Sequence, residues 1–447
     1  MTGTVPKRST GSPRQTHQVA VGTEVELVAG PIAAGGGCVA RAEDGRVVFV
    51  RHTLPGERVR AVVTSATSSF LRADAVEIID PSPDRVPAPC PHAGPGGCGG
   101  CDWQHVSPPA QRALKSALVE EQLRRVARID WTVRVEAVAN GDPSADGTGA
   151  SGGTGEGLAW RTRMQFAVDR SGRLGLHRHR SHDIEVLERC PIATDAVNAV
   201  GVTEVLWRGA RQVEVTASPD GGPAVIAVET GPGRLAARPP AGAGLVVDGR
   251  MRRRPTRSRF VVEGHRFEVS AGGFWQVHPG AGRVLTRAVL EGLAPRPGDR
   301  MVDLYAGAGL FTVPLAHAVG PSGSVVAVER STRACADATR NSAGLPQATV
   351  VRSPVGPALV AGLGPTDGVV LDPAREGAGR EVMRALTEMD PAPRRVAYVS
   401  CDPASFARDL RVVLDAGWVL GSLRAFDLFP MTEHVELVGM LEPPAPG

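Results

Sequence analysis

From Phe260 onward the chain alternates short β-branched runs with helical patterns, and this alternation limits the fold more than any other feature. Strands are predicted at Met301–Tyr305, Ser324–Glu329, Ala348–Arg352, Gly368–Leu371 and Val396–Ser400, with helices in the gaps. Alternation of this kind predicts an α/β domain: a mostly parallel, Rossmann-like sheet with helices on both faces. The first strand runs into Asp303-Leu304-Tyr305-Ala306-Gly307-Ala308-Gly309-Leu310-Phe311-Thr312. Glycines at 307 and 309 let the backbone turn tightly and approach a ligand closely. Glu329 ends the next strand, where it can accept hydrogen bonds from a ribose diol, and Asp372-Pro373 follows the fourth. The turn carries no basic residue and no Gly-Lys-Ser/Thr, so a nucleoside such as S-adenosylmethionine suits it better than a pyrophosphate. A dinucleotide-binding domain is the alternative.

The most specific chemistry lies further on. Val399-Ser400-Cys401-Asp402-Pro403 puts a cysteine on a strand-end turn, and Phe429-Pro430-Met431-Thr432-Glu433-His434-Val435-Glu436 ends on a carboxylate. A thiolate can add to an electron-poor ring, and a carboxylate can later remove a proton from it. The blander reading is a buried apolar cysteine and a surface acid.

Upstream, Thr23–Val28, Arg46–Val50 and Arg58–Val63 read as short alternating strands with Gly-rich turns, which predicts a small barrel. Four prolines between Pro81 and Pro89 mark a boundary. Pro108–Ile129 has a helical pattern with Leu114, Leu118 and Leu123 on one side. Asn140–Gly157 is rich in Gly, Ser and Thr and reads as a flexible insert. The expected division is a disordered tail at 1–17, the barrel at 18–80, a central α+β domain at 81–258 and the Rossmann-like domain at 259–447.

Seven cysteines make disulfides unlikely in a chain of this size without a secretory leader. Cys90, Cys98 and Cys101 crowd one loop and Cys190 stands apart in sequence. Three close thiols and a remote fourth suit zinc or an iron–sulfur cluster, and spacing leaves both open. His92 and His105 read as polar loop residues. No apolar run is long enough to cross a bilayer, and a cytoplasmic location is expected. The net charge of +3 decides little. Only Lys7 and Lys115 are lysines among 50 basic residues. Arg250, Arg252, Arg253, Arg254, Arg257 and Arg259 form one cluster, either a solvated loop or an RNA phosphate contact.

Together these motifs resemble the RNA uracil-5 methyltransferases that use S-adenosylmethionine. The resemblance covers most of the chain. The barrel is similar to a TRAM domain, an OB-like RNA-binding module, through Gly35–Arg41, Val48–Val50 and Leu54–Glu57. Asp303–Thr312, Leu371–Arg375, Ser400–Pro403 and Asp427–Glu436 carry the rest. The resemblance implies Gln276, Tyr305, Glu329 and Asp372 as donor-binding residues, Cys401 as nucleophile and Glu436 as base. It also implies a 4Fe–4S cluster on Cys90, Cys98, Cys101 and Cys190, and RNA as partner, 23S rRNA before tRNA, with no membrane and a monomeric enzyme. Three positions depart from the family pattern: Pro354 where an acidic or amide residue is expected, Asp402 for Asn, and His278 for Asn. A cytosine-5 methyltransferase and a non-catalytic RNA-binding iron–sulfur protein are the alternatives.

Overall fold

The computed structural model describes residues 19–141 and 156–444. The tail expected at 1–17 and most of the insert expected at 140–157 lie outside the described residues. The chain forms two compact units, Met1–Arg85 and Val86–Gly447.

The first unit is a curled five-stranded sheet: β1 (Glu24–Val28), β2 (Cys38–Arg41), β3 (Val47–Arg51), β4 (Arg58–Ala66) and β5 (Phe70–Asp80), in the order β1-β4-β5-β3-β2. Strict alternation along β4 buries Val59, Ala61 and Val63 and exposes Arg58 and Arg60. These valines join Leu27, Val48, Val50 and Leu71 in one core. Glu57 is fully buried yet satisfied. It takes two bonds from Arg85, at 2.6 and 2.7 Å, and one each from the backbone of Leu54 (2.8 Å) and Ser82 (3.0 Å). The charged, bidentate pair fastens the end of the unit to the turn before β4.

The second unit opens with the cysteine loop and a helix at Pro108–Gln122, which a π-turn at Leu123–Ala127 ends. A short strand follows, β6 (Val135–Ala137). Next comes a seven-stranded, mainly antiparallel sheet: β7 (Arg163–Val168), β8 (Leu174–His177), β9 (Ile184–Val186), β10 (Ala210–Thr216), β11 (Val225–Thr230), β12 (Gly244–Val247) and β13 (Arg250–Arg253). A hairpin, β14 (Arg257–Val262) and β15 (His265–Ser270), leads to the α/β part.

That part has β16 (Arg300–Leu304), β17 (Ser324–Glu329), β18 (Ala348–Arg352), β19 (Gly368–Leu371), β20 (Arg395–Ser400), β21 (Val419–Asp427) and β22 (Glu436–Glu442). The order is β18-β17-β16-β19-β20-β22-β21-β6. The first five strands are parallel, as expected. Burial on both faces explains the apolar runs of β19 and β20, whereas the edge strand β18 is largely exposed. Along β20, Val396 and Tyr398 enter one core and Ala397 and Val399 the other. The eighth strand departs from the expected division. β6 lies within the segment assigned to the central domain, yet it pairs parallel with β21 and its Val135 joins the α/β core. No helix among the described residues is long and apolar enough to cross a membrane.

Candidate active site

The parallel strands deliver their last residues to one edge of the sheet. Tyr305 follows β16, Glu329 ends β17, Asp372 follows β19 and Cys401 follows β20. β22 runs antiparallel to β20, so its first residue, Glu436, starts at that same edge. The register pairs Ser400 with Leu437; continued by one residue, it sets Cys401 opposite Glu436. The Glu436 carboxylate is among the charges that act on the Cys401 thiol, so the two side chains are neighbours. Asp402 caps the helix that follows, accepting from Ser405 N–H at 2.7 Å.

Charge is concentrated here. Glu436 is 2% exposed. Burial, then the neighbouring Asp372 carboxylate, pushes its pKa well above the ordinary glutamate range. Asp372 is itself raised to about 7 by burial and by Asp303. Asp303 is fully buried, accepts from the Thr312 hydroxyl at 2.5 Å, and is raised to about 7. Its second oxygen has no partner. Burial, Glu436 and Asp372 push the Cys401 thiol up to about 12, while the Arg375 guanidinium pulls the other way. Arg375 lies 3.1 Å from His434 Nε2.

Backbone strain marks the turn after β16. Tyr305 adopts φ 62°, in the left-handed region that non-glycine residues rarely occupy. Gly307 (φ 54°) and Gly309 (φ 89°) continue the turn. A Cβ on Gly307 would meet no protein atom, which leaves an open cradle beside the Glu329 carboxylate. Glu329 accepts from Gly307 N–H at 3.1 Å and from Ser331 N–H at 2.6 Å.

Gln276 lies in the segment between the β14–β15 hairpin and the helix at Ala281–Leu293 and is buried. It lines a pocket of about 250 Å³ with Thr162, Arg163, Ser258, Ser270 and Trp275. His278 is buried, its pKa is lowered to about 3 by burial and then by Arg283, and its ring stacks on Trp160. Pro354 is preceded by Ser353, whose hydroxyl donates to the Pro354 carbonyl at 3.1 Å.

Cys90, Cys98, Cys101 and Cys190 line one pocket of about 400 Å³, with Arg161 in its wall. All four are free thiols. Gly100 N–H donates to the Cys98 sulfur at 3.4 Å, and the Ile192 and Ala193 N–H groups face Cys190. N–H donors and a guanidinium suit thiolates, and all four sulfurs share this pocket. Among the described residues, no three His, Cys, Asp or Glu side chains are grouped to hold a single metal ion. His92 pairs with Glu185 at 2.9 Å. In the arginine cluster, Arg250, Arg252 and Arg254 are exposed, whereas Arg253 turns inward to the Ala243 and Pro240 carbonyls.

Two residues escaped the sequence reading. Lys115 is fully buried and donates to Asp427 (2.6 Å) and to the Phe429 carbonyl (3.0 Å). Gln111, one helical turn earlier, accepts from Met431 N–H at 2.7 Å. The rarity of lysine in this arginine-rich chain was the available signal for Lys115; Gln111 offered none.

A TRAM domain matches residues 18–76. An uncharacterized RNA methyltransferase of Streptomyces avermitilis is 44% identical over 443 residues, covering 96% of this chain and all of that protein. A protein of Thiobacillus denitrificans named 23S rRNA (uracil(1939)-C(5))-methyltransferase is 33% identical, covering 89% of this chain and 95% of its own length. The crystal structure of a Pyrococcus abyssi tRNA (uracil-54, C5)-methyltransferase with S-adenosyl-L-homocysteine shares the fold (TM-score 0.67, 20% identity, 93% and 100% coverage). This chain therefore belongs to the family of S-adenosylmethionine-dependent RNA uracil-5 methyltransferases.

Proposed function

We propose that this enzyme methylates carbon 5 of a uracil in 23S rRNA through a covalent bond between Cys401 and the ring. The supporting observation is the register that sets Cys401 across from Glu436 beside Asp372. The substrate class follows the name of the Thiobacillus relative. In this reading the Cys401 thiolate adds to carbon 6, and the ring electrons move onto the carbon 4 oxygen as an enolate. Carbon 5 then attacks the methyl carbon and S-adenosylhomocysteine departs. Glu436 takes the remaining proton from carbon 5, the ring double bond re-forms, and the thiolate is expelled. Tyr305, Glu329, Asp372 and Gln276 hold the donor. Its sulfonium charge, with Arg375, opposes the carboxylates that keep the free thiol protonated.

Cys90, Cys98, Cys101 and Cys190 are proposed to hold a 4Fe–4S cluster, supported by the four thiols that share one pocket. When bound, it would clip the 90–101 loop to Cys190. Zinc is the second reading, favoured by spacing equally. Purified protein should show iron and broad visible absorption, both lost in Cys90→Ser. A colourless, zinc-loaded wild type would refute the cluster.

The test of the reaction is direct. Cys401→Ala should abolish 5-methyluridine formation and keep donor affinity; Glu436→Gln should accumulate the RNA–enzyme adduct. Normal turnover in either variant would overturn the assigned roles.

A further inference from the structure

The turn before Glu436 is gripped by a part of the molecule that the reaction does not use. Met431 sits in the left-handed region (φ 67°) and is 4% exposed, buried in the core of the central sheet rather than among the α/β residues around it. Such a backbone persists only where its surroundings over-determine it. Its N–H donates to Gln111 Oε1 at 2.7 Å, and its carbonyl accepts from Trp103 N–H at 2.9 Å. The same Gln111 carboxamide, through Nε2, donates to the Val106 carbonyl at 2.9 Å and the Trp103 carbonyl at 3.2 Å. Gln111 is 1% exposed and Trp103 is fully buried. One side chain thus satisfies backbone groups of two segments: the stretch just after Cys101, and the turn five residues before Glu436.

Lys115, on the same helix face, holds the other end of that turn through Asp427 and Phe429. The division of labour is clear. Lys115 bonds only the catalytic segment, whereas Gln111 bridges it to the cysteine loop.

We propose that Gln111 is a positioning residue that transmits the order of the cysteine loop to the Met431 turn and hence to Glu436. This rests on the proposed role of Glu436 as base. A loosened turn would let Glu436 drift from carbon 5 while Cys401, carried by a different strand, stays in place. Adduct formation would then continue and its resolution would slow.

Two variants of the full-length enzyme test this. Gln111→Leu removes both sets of bonds; Gln111→Glu keeps an acceptor for Met431 N–H and loses the donors to Trp103 and Val106. Hydrogen exchange across residues 428–436 should rise in Gln111→Leu and stay close to wild type in Gln111→Glu. Exchange across 102–107 should rise in both. In Gln111→Leu, kcat should fall roughly 10- to 100-fold, the scale of a displacement of about 1 Å. The KM for RNA should hold, and the covalent complex should build up. A purely structural role would lower the folded yield but leave kcat per folded enzyme and adduct level unchanged, and that result would overturn the proposal. If wild type and Glu436→Gln formed no adduct at all, the proposed mechanism would fail instead.

Discussion

At Glu436 the surroundings oppose ionisation, and this has a kinetic signature. Burial and the nearby Asp372 keep the proton on Glu436 to higher pH than an ordinary glutamate would hold it. A base works only once that proton has left. Resolution of the covalent adduct should therefore speed up with rising pH through this elevated pKa and level off above it, whereas in Glu436→Gln the adduct should persist at every pH. A rise at the ordinary carboxylate pKa would mean that substrate binding relieves the burial. Cys401 and Glu436 were singled out in the sequence by motifs whose residue types suit one chemistry, and the β20–β22 pairing brings their two segments to one sheet edge. The Asp303–Asp372 coupling was not legible in the sequence. Those two residues lie far apart in the chain, and only the β16–β19 pairing makes them neighbours.

Among the elements, the helix at Pro108–Gln122 shows how a pattern can be read correctly and still mislead. Its apolar side was visible, and Leu118 and Leu123 are buried. A lysine breaks the apolar pattern of that side, and Lys115 is sealed there against Asp427. Lys115→Met would leave a buried carboxylate without its cation and should cost about 3–5 kcal/mol in urea denaturation. Adding Asp427→Leu should recover most of that loss. The barrel strands β2 and β5 were missed, since four residues around a glycine-rich turn give little alternation, and Phe70–Asp80 was not read as a strand at all. On the edge strand β13, Arg250 and Arg252 face solvent, with Arg254 just beyond. Replacing all three with Glu should flatten the slope of log RNA affinity against log salt by roughly 2 to 3 and leave donor affinity unchanged. An unchanged slope would make this a solvated loop.

For the molecule as a whole, the α/β alternation was easy to read because its central parallel strands β19 and β20 are buried on both faces and carry apolar runs. Its last strand was invisible. Val135–Ala137 is three residues long and lies before the central sheet, so nothing local connects it with β21. The first unit has its own core and its own closing ion pair. Residues 19–85 alone should therefore unfold in one cooperative step by circular dichroism. The methyltransferase sheet has no such independence. Its outermost strand is supplied from upstream, and the whole central sheet is inserted between that strand and the rest. A gene fragment beginning at Arg257 would strip β21 of its outer partner β6 and present a raw hydrogen-bonding border to other chains. The methyl-transferring half is thus not a cassette that can be cut out or grafted elsewhere; it reaches its finished form only when the earlier stretch of polypeptide comes back to complete it.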